Sequence, residues 1–229
     1  MKSKTLLYST CLVATLLLAT STFAGPPLLC HRFDIGDAKS LPWVSHAWNL
    51  SGSESYDTKN LSTDTLTVLN SDAVVIVHME TLRRAALYAQ NDTAAGKQLL
   101  LKLIARANSS SESSAPIANF DAGYFAATLD QAHWIKKDFS NPAQGLDAYA
   151  LIKKALEGRP EDGQMNFGAA LVTLEGPIAE QREYAQKAMT AAKSNALLAR
   201  NLSTHFIGPQ SETMAEMINR NSSAKLARQ

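Results

Sequence analysis

Cysteine is scarce: only Cys11 and Cys30 occur in 229 residues, which excludes a disulfide-stapled miniprotein. An excess of charge is missing as well. With 22 Lys+Arg against 21 Asp+Glu, the chain has no field that would make nucleic acid or acidic lipid its principal partner, and no nucleic-acid role is expected. After the N-terminus no apolar run approaches the roughly 20 residues that cross a bilayer. The 11 glycines and 8 prolines are too few for a collagen-like chain. Absent too are a phosphate-cradling glycine loop, a Gly-x-Ser-x-Gly elbow, a His-Glu-x-x-His motif and a paired-carboxylate motif. What remains is 45% hydrophobic residues, enough for one sizeable core or two small ones.

The first residues have the three parts of a secretory signal peptide. Lys2 and Lys4 precede an apolar stretch from Leu6 to Ala19, and small residues stand at Thr22 and Ala24. The stretch holds 14 residues (19 − 6 + 1), too short for a spanning helix. A signal peptide over 1–24, a mature chain from Gly25 without a transmembrane segment, and a secreted or periplasmic location are therefore expected. Cleavage leaves Cys30 alone, so burial and helix packing must hold the mature protein together. Neither Tyr8-Ser9-Thr10 before Cys11 nor Pro27-Leu28-Leu29 before Cys30 suits a lipid-modified cysteine.

Residues 25–64 show no sustained period and are rich in Gly, Pro, Ser and Asp, the mark of an irregular arm. Leu28, Leu29, Phe33, Leu41, Trp43, Val44 and Trp48 make the arm too apolar to be a solvated tail, so it should pack on the body, residues 65–229. Burying each ring would stabilise by roughly 1.5–3 kcal/mol, and Trp43→Ala should cost about 3 kcal/mol.

The body opens ambiguously, because two β-branched runs around Asn70-Ser71-Asp72 could form a hairpin. The stripe Val75, Met79, Leu82, Ala86 and Ala89 favours a helix reaching about Gln90, capped by Ser71 or Asp72. A second helix has Leu100, Leu103, Ile104 and Ala107 inward, with Lys97, Lys102 and Arg106 towards water. After the serine-rich stretch 109–114, Asp121 is read as the cap of a helix carrying Phe125 and Leu129. Further helices carry Ile152, Phe167, Ala188 and Leu202, punctuated by Gly and Pro, and Ser211 should cap a last one with Met214, Met217 and Ile218. The fold class expected is all-α, with about eight helices arranged as antiparallel hairpins.

Two helices share wording. Tyr149-Ala150-Leu151-Ile152-Lys153-Lys154-Ala155-Leu156 aligns with Tyr184-Ala185-Gln186-Lys187-Ala188-Met189 at offsets of 35 (184 − 149) and 33 (187 − 154) residues. The spacing resembles the 34-residue period of tetratricopeptide-like hairpins. The resemblance covers about one and a half units and lacks the family's Trp, Leu-Gly and terminal Pro, so it implies at most a degenerate helical repeat.

Cys30 and His31 are the most unusual neighbours. A thiol beside an imidazole suits a low-pKa nucleophile, half a metal site or a thiol awaiting a partner's disulfide. A buried cysteine acting as a small hydrophobe is the plainer reading. Glu80, Arg83 and Arg84 have i, i+3 and i, i+4 spacing, ordinarily a solvated pair contributing roughly 0.2–0.5 kcal/mol. Were the arm to cover them, a carboxylate or phosphate between the arginines becomes plausible. His46, His78, His133 and His205 share no helix spacing that reads as a zinc site, and no metal or cofactor is expected. His133 and His205 read as core histidines. Six Asn-x-Ser/Thr triplets, at Asn49, Asn60, Asn91, Asn108, Asn201 and Asn221, read as helix-boundary capping residues.

These residues lead to an exported helical binding or interaction module for another protein or a small anionic ligand, with Cys30, His31, Glu80, Arg83 and Arg84 as candidate binding residues. The rival is an exported enzyme or metal or redox protein using Cys30 and His31. No catalytic residue is assigned.

Overall fold

The structure is a computed structural model that describes residues 26–44, 50, 52–173, 178–207 and 212–213. The signal segment, Trp48, the Gly176-Pro177 stop, and Ser211, Met214, Met217 and Ile218 of the last expected helix lie outside the described residues, and Glu212 and Thr213, where that helix should begin, are extended instead. The protein is all-α. Among the described residues, eight α-helices follow a short 3-10 turn at Thr58–Asn60: α1 Leu61–Leu69, α2 Val75–Ala89, α3 Thr93–Ser109, α4 Ala115–Ile135, α5 Ala148–Gly158, α6 Gly163–Val172, α7 Ile178–Ala192 and α8 Ala196–Thr204. A two-residue antiparallel pairing of Phe206–Ile207 with Glu212–Thr213 follows α8.

The ambiguity at residues 66–77 resolves as helix on both sides: Leu66 to Leu69 end α1, and α2 begins at Val75. Helix α1 includes the last four residues read as arm, Leu61 to Asp64. Val74, without a side-chain cap, precedes α2, so neither Ser71 nor Asp72 caps it. The side-chain caps are Asp57, Asp92, Asp147, Asp162 and Asn195. None of the described triplet asparagines takes that role.

Helix α2 is more than a striped surface helix, since only Arg84 among its residues escapes burial. A helix buried on all sides belongs inside a bundle. Helix α4 lies against it, with buried residues from Pro116 to Ala132. Around this pair, α3 and α5 pack on α4, α6 packs on α7, and α1 bridges α2 and α3. Gly123 allows the approach of α4 and α5, because a Cβ there would lie 2.7 Å from the Ala148 carbonyl oxygen. Gly163 plays the same part for α6 and α7, where its Cβ would sit 2.2 Å from that of Ala191.

Successive repeat units starting at α5 and α7 would pair α5 with α6 and α7 with α8 most closely. The broadest pairings are instead α4 with α5 and α6 with α7, so helical-repeat character is not confirmed. The two tyrosines that define the similarity nevertheless meet, with hydroxyl oxygens 3.0 Å apart.

Residues 26–44 lie across the bundle. Leu28, Leu29, Phe33 and Leu41 are fully buried or nearly so, and Trp43 packs half-buried against the core. The arm thus contributes to the core, as its apolar composition required.

Candidate functional site

Glu80 and Arg83 project from α2 and are buried; Arg84, one residue on, is 17% exposed. Glu80 Oε2 accepts from Arg83 Nε at 2.7 Å, and Oε1 accepts from Arg83 Nη2 at 2.9 Å and Arg84 Nε at 2.7 Å. The spacing was legible, but the solvated reading is overturned because the arm covers the helix. No external anion is needed to complete the cluster. Arg83 Nη1 donates to the Leu29 carbonyl, Arg84 Nη1 to the Leu41 carbonyl, and Glu80 Oε2 also accepts the Phe33 amide. Burial pushes the Glu80 carboxyl up, yet the hydrogen bonds and charges of the two arginines outweigh it and hold the group below its ordinary range.

Cys30 and His31 come close to this cluster without completing a reactive pair. The turn at Pro27–Cys30 is closed by the Leu29 and Cys30 amides, both donating to the Pro26 carbonyl. Cys30 is half-buried; burial pushes its thiol up, with a smaller opposing effect from the Arg83 charge. Burial pushes the His31 imidazole down, and Arg83 adds to the shift. With the thiol pushed up and the imidazole pushed down, neither the thiolate nor the imidazolium is favoured at this pair. The His31 ring centroid lies 5.9 Å from that of His205.

His205 is a core histidine, as expected. Its ring stacks on Phe33 at 4.3 Å and meets the Phe167 edge at 5.4 Å. Its Nδ1 lies 2.9 Å from the Asn201 carbonyl, so Nδ1 carries the proton. Burial lowers its pKa to about 4. His133, half-buried, likewise donates from Nδ1 to the Phe139 carbonyl.

One charged cluster gave no local signal in the sequence. Asp121 is not a cap: α4 begins at Ala115 and Asp121 is fully buried inside it. It accepts from His78 Nδ1 at 2.8 Å and from Arg106 Nη1 at 2.6 Å. Arg106, expected in water, also donates to the Leu69 carbonyl at the end of α1. The three side chains come from α2, α3 and α4 and tie those helices to α1. A His–Asp pair suggests nucleophile activation, but His78 Nε2 is buried and, among the described residues, has no hydrogen-bond partner. The arrangement ties α2, α3 and α4 together at a buried point beside the end of α1.

Among the described residues no three His, Cys, Asp or Glu side chains converge so as to hold a metal ion, and no helix is long and apolar enough to cross a membrane.

An open pocket of about 200 Å³ lies where α5, α6 and α7 meet. Lys153, Glu157, Tyr184 and Lys187 line it together with Leu156, Pro160 and Asn166. Asn166 Nδ2 donates to the Pro160 and Asp162 carbonyls, while its Oδ1 is buried without a protein partner. Beside the pocket Tyr149 donates to Glu180 and contacts Tyr184. Lys187 Nζ lies 3.3 Å from Glu161 and 3.6 Å from Glu183, both largely exposed. The alignment of α5 with α7 pointed to these residues, although as a repeat and not as a pocket.

No protein-family model, no curated protein and no solved structure matches the chain.

Proposed function

We propose that the protein is an exported helical binding module and that its ligand-accepting surface is the pocket between α5, α6 and α7. The observation that carries this reading is the contrast between two groups of charges. The Glu80, Arg83 and Arg84 side chains are engaged by the protein's own arm in the interior, whereas Lys153 and Lys187 line an open cleft with Tyr184 and Glu157, where the pairs of Lys187 with Glu161 and Glu183 are solvent-exposed and exchangeable. Ammonium groups beside a tyrosine hydroxyl suit a carboxylate or phosphate. The cleft is small, so the ligand is a small anion or the acidic side chain of a protein partner. The signal-like residues 1–24 support export.

The rival reading, chemistry at Cys30 and His31, draws less support, because burial disfavours the Cys30 thiolate, the form that attacks or binds a metal.

Titration calorimetry with citrate and inorganic phosphate as probes tests the pocket. Binding of either probe that is lost in Lys153→Ala/Lys187→Ala, with an unchanged circular dichroism spectrum, is the expected result. Binding that survives the double substitution, or no binding to the parent, would overturn the assignment.

A further inference from the structure

The side-chain protons of the tyrosine and the asparagine that line the α5–α7 pocket are already committed. Tyr149 donates its hydroxyl proton to Glu180, and a phenol has only one to give. Burial, with the hydrogen bonds to Glu180 and Tyr184, pushes that phenol up, so it keeps its proton. In the 3.0 Å contact between the two hydroxyls Tyr184 is therefore the donor, and what its oxygen offers an occupant of the pocket is an acceptor. Asn166 stands the same way. Its Nδ2 gives both protons to carbonyls, those of Pro160 and Asp162, which fixes the nitrogen on that side of the amide. The side chain is fully buried, and its Oδ1 has no partner among the described residues. Glu157 adds a carboxylate, again an acceptor. The side-chain donors of the lining are the ammonium groups of Lys153 and Lys187.

We infer that the occupant is a free α-amino acid with a small aliphatic side chain, an inference that rests on the pocket assignment above. Two cations beside three acceptors call for a carboxylate and N–H donors within one small molecule. Lys153 and Lys187 hold the carboxylate; Glu157, the Tyr184 oxygen and Asn166 Oδ1 take the ammonium, which has three protons to give. A phosphate or a simple carboxylate would satisfy the lysines and leave the acceptors without a donor. Leu156 and Pro160 form the apolar part of the lining, against which a short branched side chain packs. The volume of about 200 Å³ is below the roughly 300 Å³ at which pockets for drug-sized ligands begin, and it restricts the occupant to a molecule of this size.

Titration calorimetry of the mature full-length chain tests this with three probes: L-valine, isovalerate, which is valine without its ammonium, and L-valinamide, which is valine without its carboxylate. L-valine should bind roughly tenfold more tightly than either analogue, because each lacks one charged hydrogen-bonding group. Tyr184→Phe and Glu157→Gln should each reduce the preference for valine over isovalerate while the affinity for isovalerate stays unchanged. Lys153→Ala/Lys187→Ala should weaken valine and isovalerate alike. Equal affinities for valine and isovalerate, both lost in the double lysine variant, would overturn the amino-acid inference and leave the anion pocket standing. Failure of valine, isovalerate, citrate and phosphate all to bind would overturn both. A preference for valine that neither Tyr184→Phe nor Glu157→Gln alters would place the ammonium elsewhere and overturn the inference as well.

Discussion

Glu80 Oε2 accepts the main-chain amide of Phe33 at 3.0 Å, across 47 positions of sequence. A carboxylate that looks like half of a surface ion pair is therefore the fastening point of the N-terminal arm, and the two arginines beside it are fastened to the same segment. Removing its charge should affect the helix and the arm together.

Glu80→Gln would leave the Arg83 guanidinium buried without a counter-charge and exchange at least one acceptor for a donor. Breaking a buried pair from one side costs about 3–5 kcal/mol. Urea denaturation should show a loss of that size, with tryptophan fluorescence shifted to the red as Trp43 becomes exposed. A loss below about 1 kcal/mol, the size of a surface pair, would show that the cluster is solvated.

Acid should loosen the protein before the carboxylates titrate. His205, with a pKa near 4, stays neutral in the fold at a pH where the unfolded chain, near 6.5, takes up a proton. Its contribution is thus present above about pH 6.5 and falls as the pH drops to 4, by about 3 kcal/mol in all at 1.4 kcal/mol per unit. His31 shifts in the same direction and adds to the slope. His205→Phe should flatten stability between pH 6.5 and 4 in chemical denaturation measured at several pH values. An unchanged slope would mean that His205 is accessible to protons in the fold.

Trp43 is only half-buried, and its ring is bordered by Arg83 Cζ at 5.1 Å, Arg84 Cζ at 6.0 Å and the edge of Tyr88. The cost of Trp43→Ala should therefore be about 2 kcal/mol, less than for a ring in the core and more than for a surface residue. Thermal unfolding of the variant is the measurement. A silent substitution would detach this end of the arm from the bundle.

Gly123→Ala should destabilise although alanine is the better helix former by about 1 kcal/mol. Its Cβ would meet the Ala148 carbonyl oxygen at 2.7 Å, a main-chain atom that cannot rotate away, and overpacking of that kind costs typically about 1–3 kcal/mol. The net loss should appear as a lower denaturation midpoint, whereas an increase would show that α4 and α5 can move apart without penalty.

The long helices were legible because their apolar spacing persists over three turns or more, as in α2 and α3. Helix α1 was not. Leu-Ser-Thr-Asp-Thr-Leu-Thr-Val-Leu is rich in residues with restricted χ1 or competing side-chain hydrogen bonds, and it is helical because Leu61, Thr65 and Leu69 bury one face. Asp121 was misread for a related reason. Aspartate inside an apolar helix usually marks a start, and only the tertiary fold brings it to His78, 43 residues before it, and Arg106, 15 before it. The spacing of Glu80, Arg83 and Arg84 was plain, but their burial depended on where an irregular segment would lie, and no local pattern encodes that.

The arm's fastenings also set an order of events. Leu28 is tied to a residue 103 positions later and Asp34 to one 167 positions later, so its seat is complete only once the chain has been made through α8. Closing loops of that length is entropically slow, and contacts between distant positions form late in folding. The segment synthesised early is consequently fastened last, and a chain stopped before Asn201 would lack that residue's two hydrogen bonds to the Asp34 main chain and the His205 ring stacked on Phe33, leaving that apolar face open to self-association while the fold is incomplete.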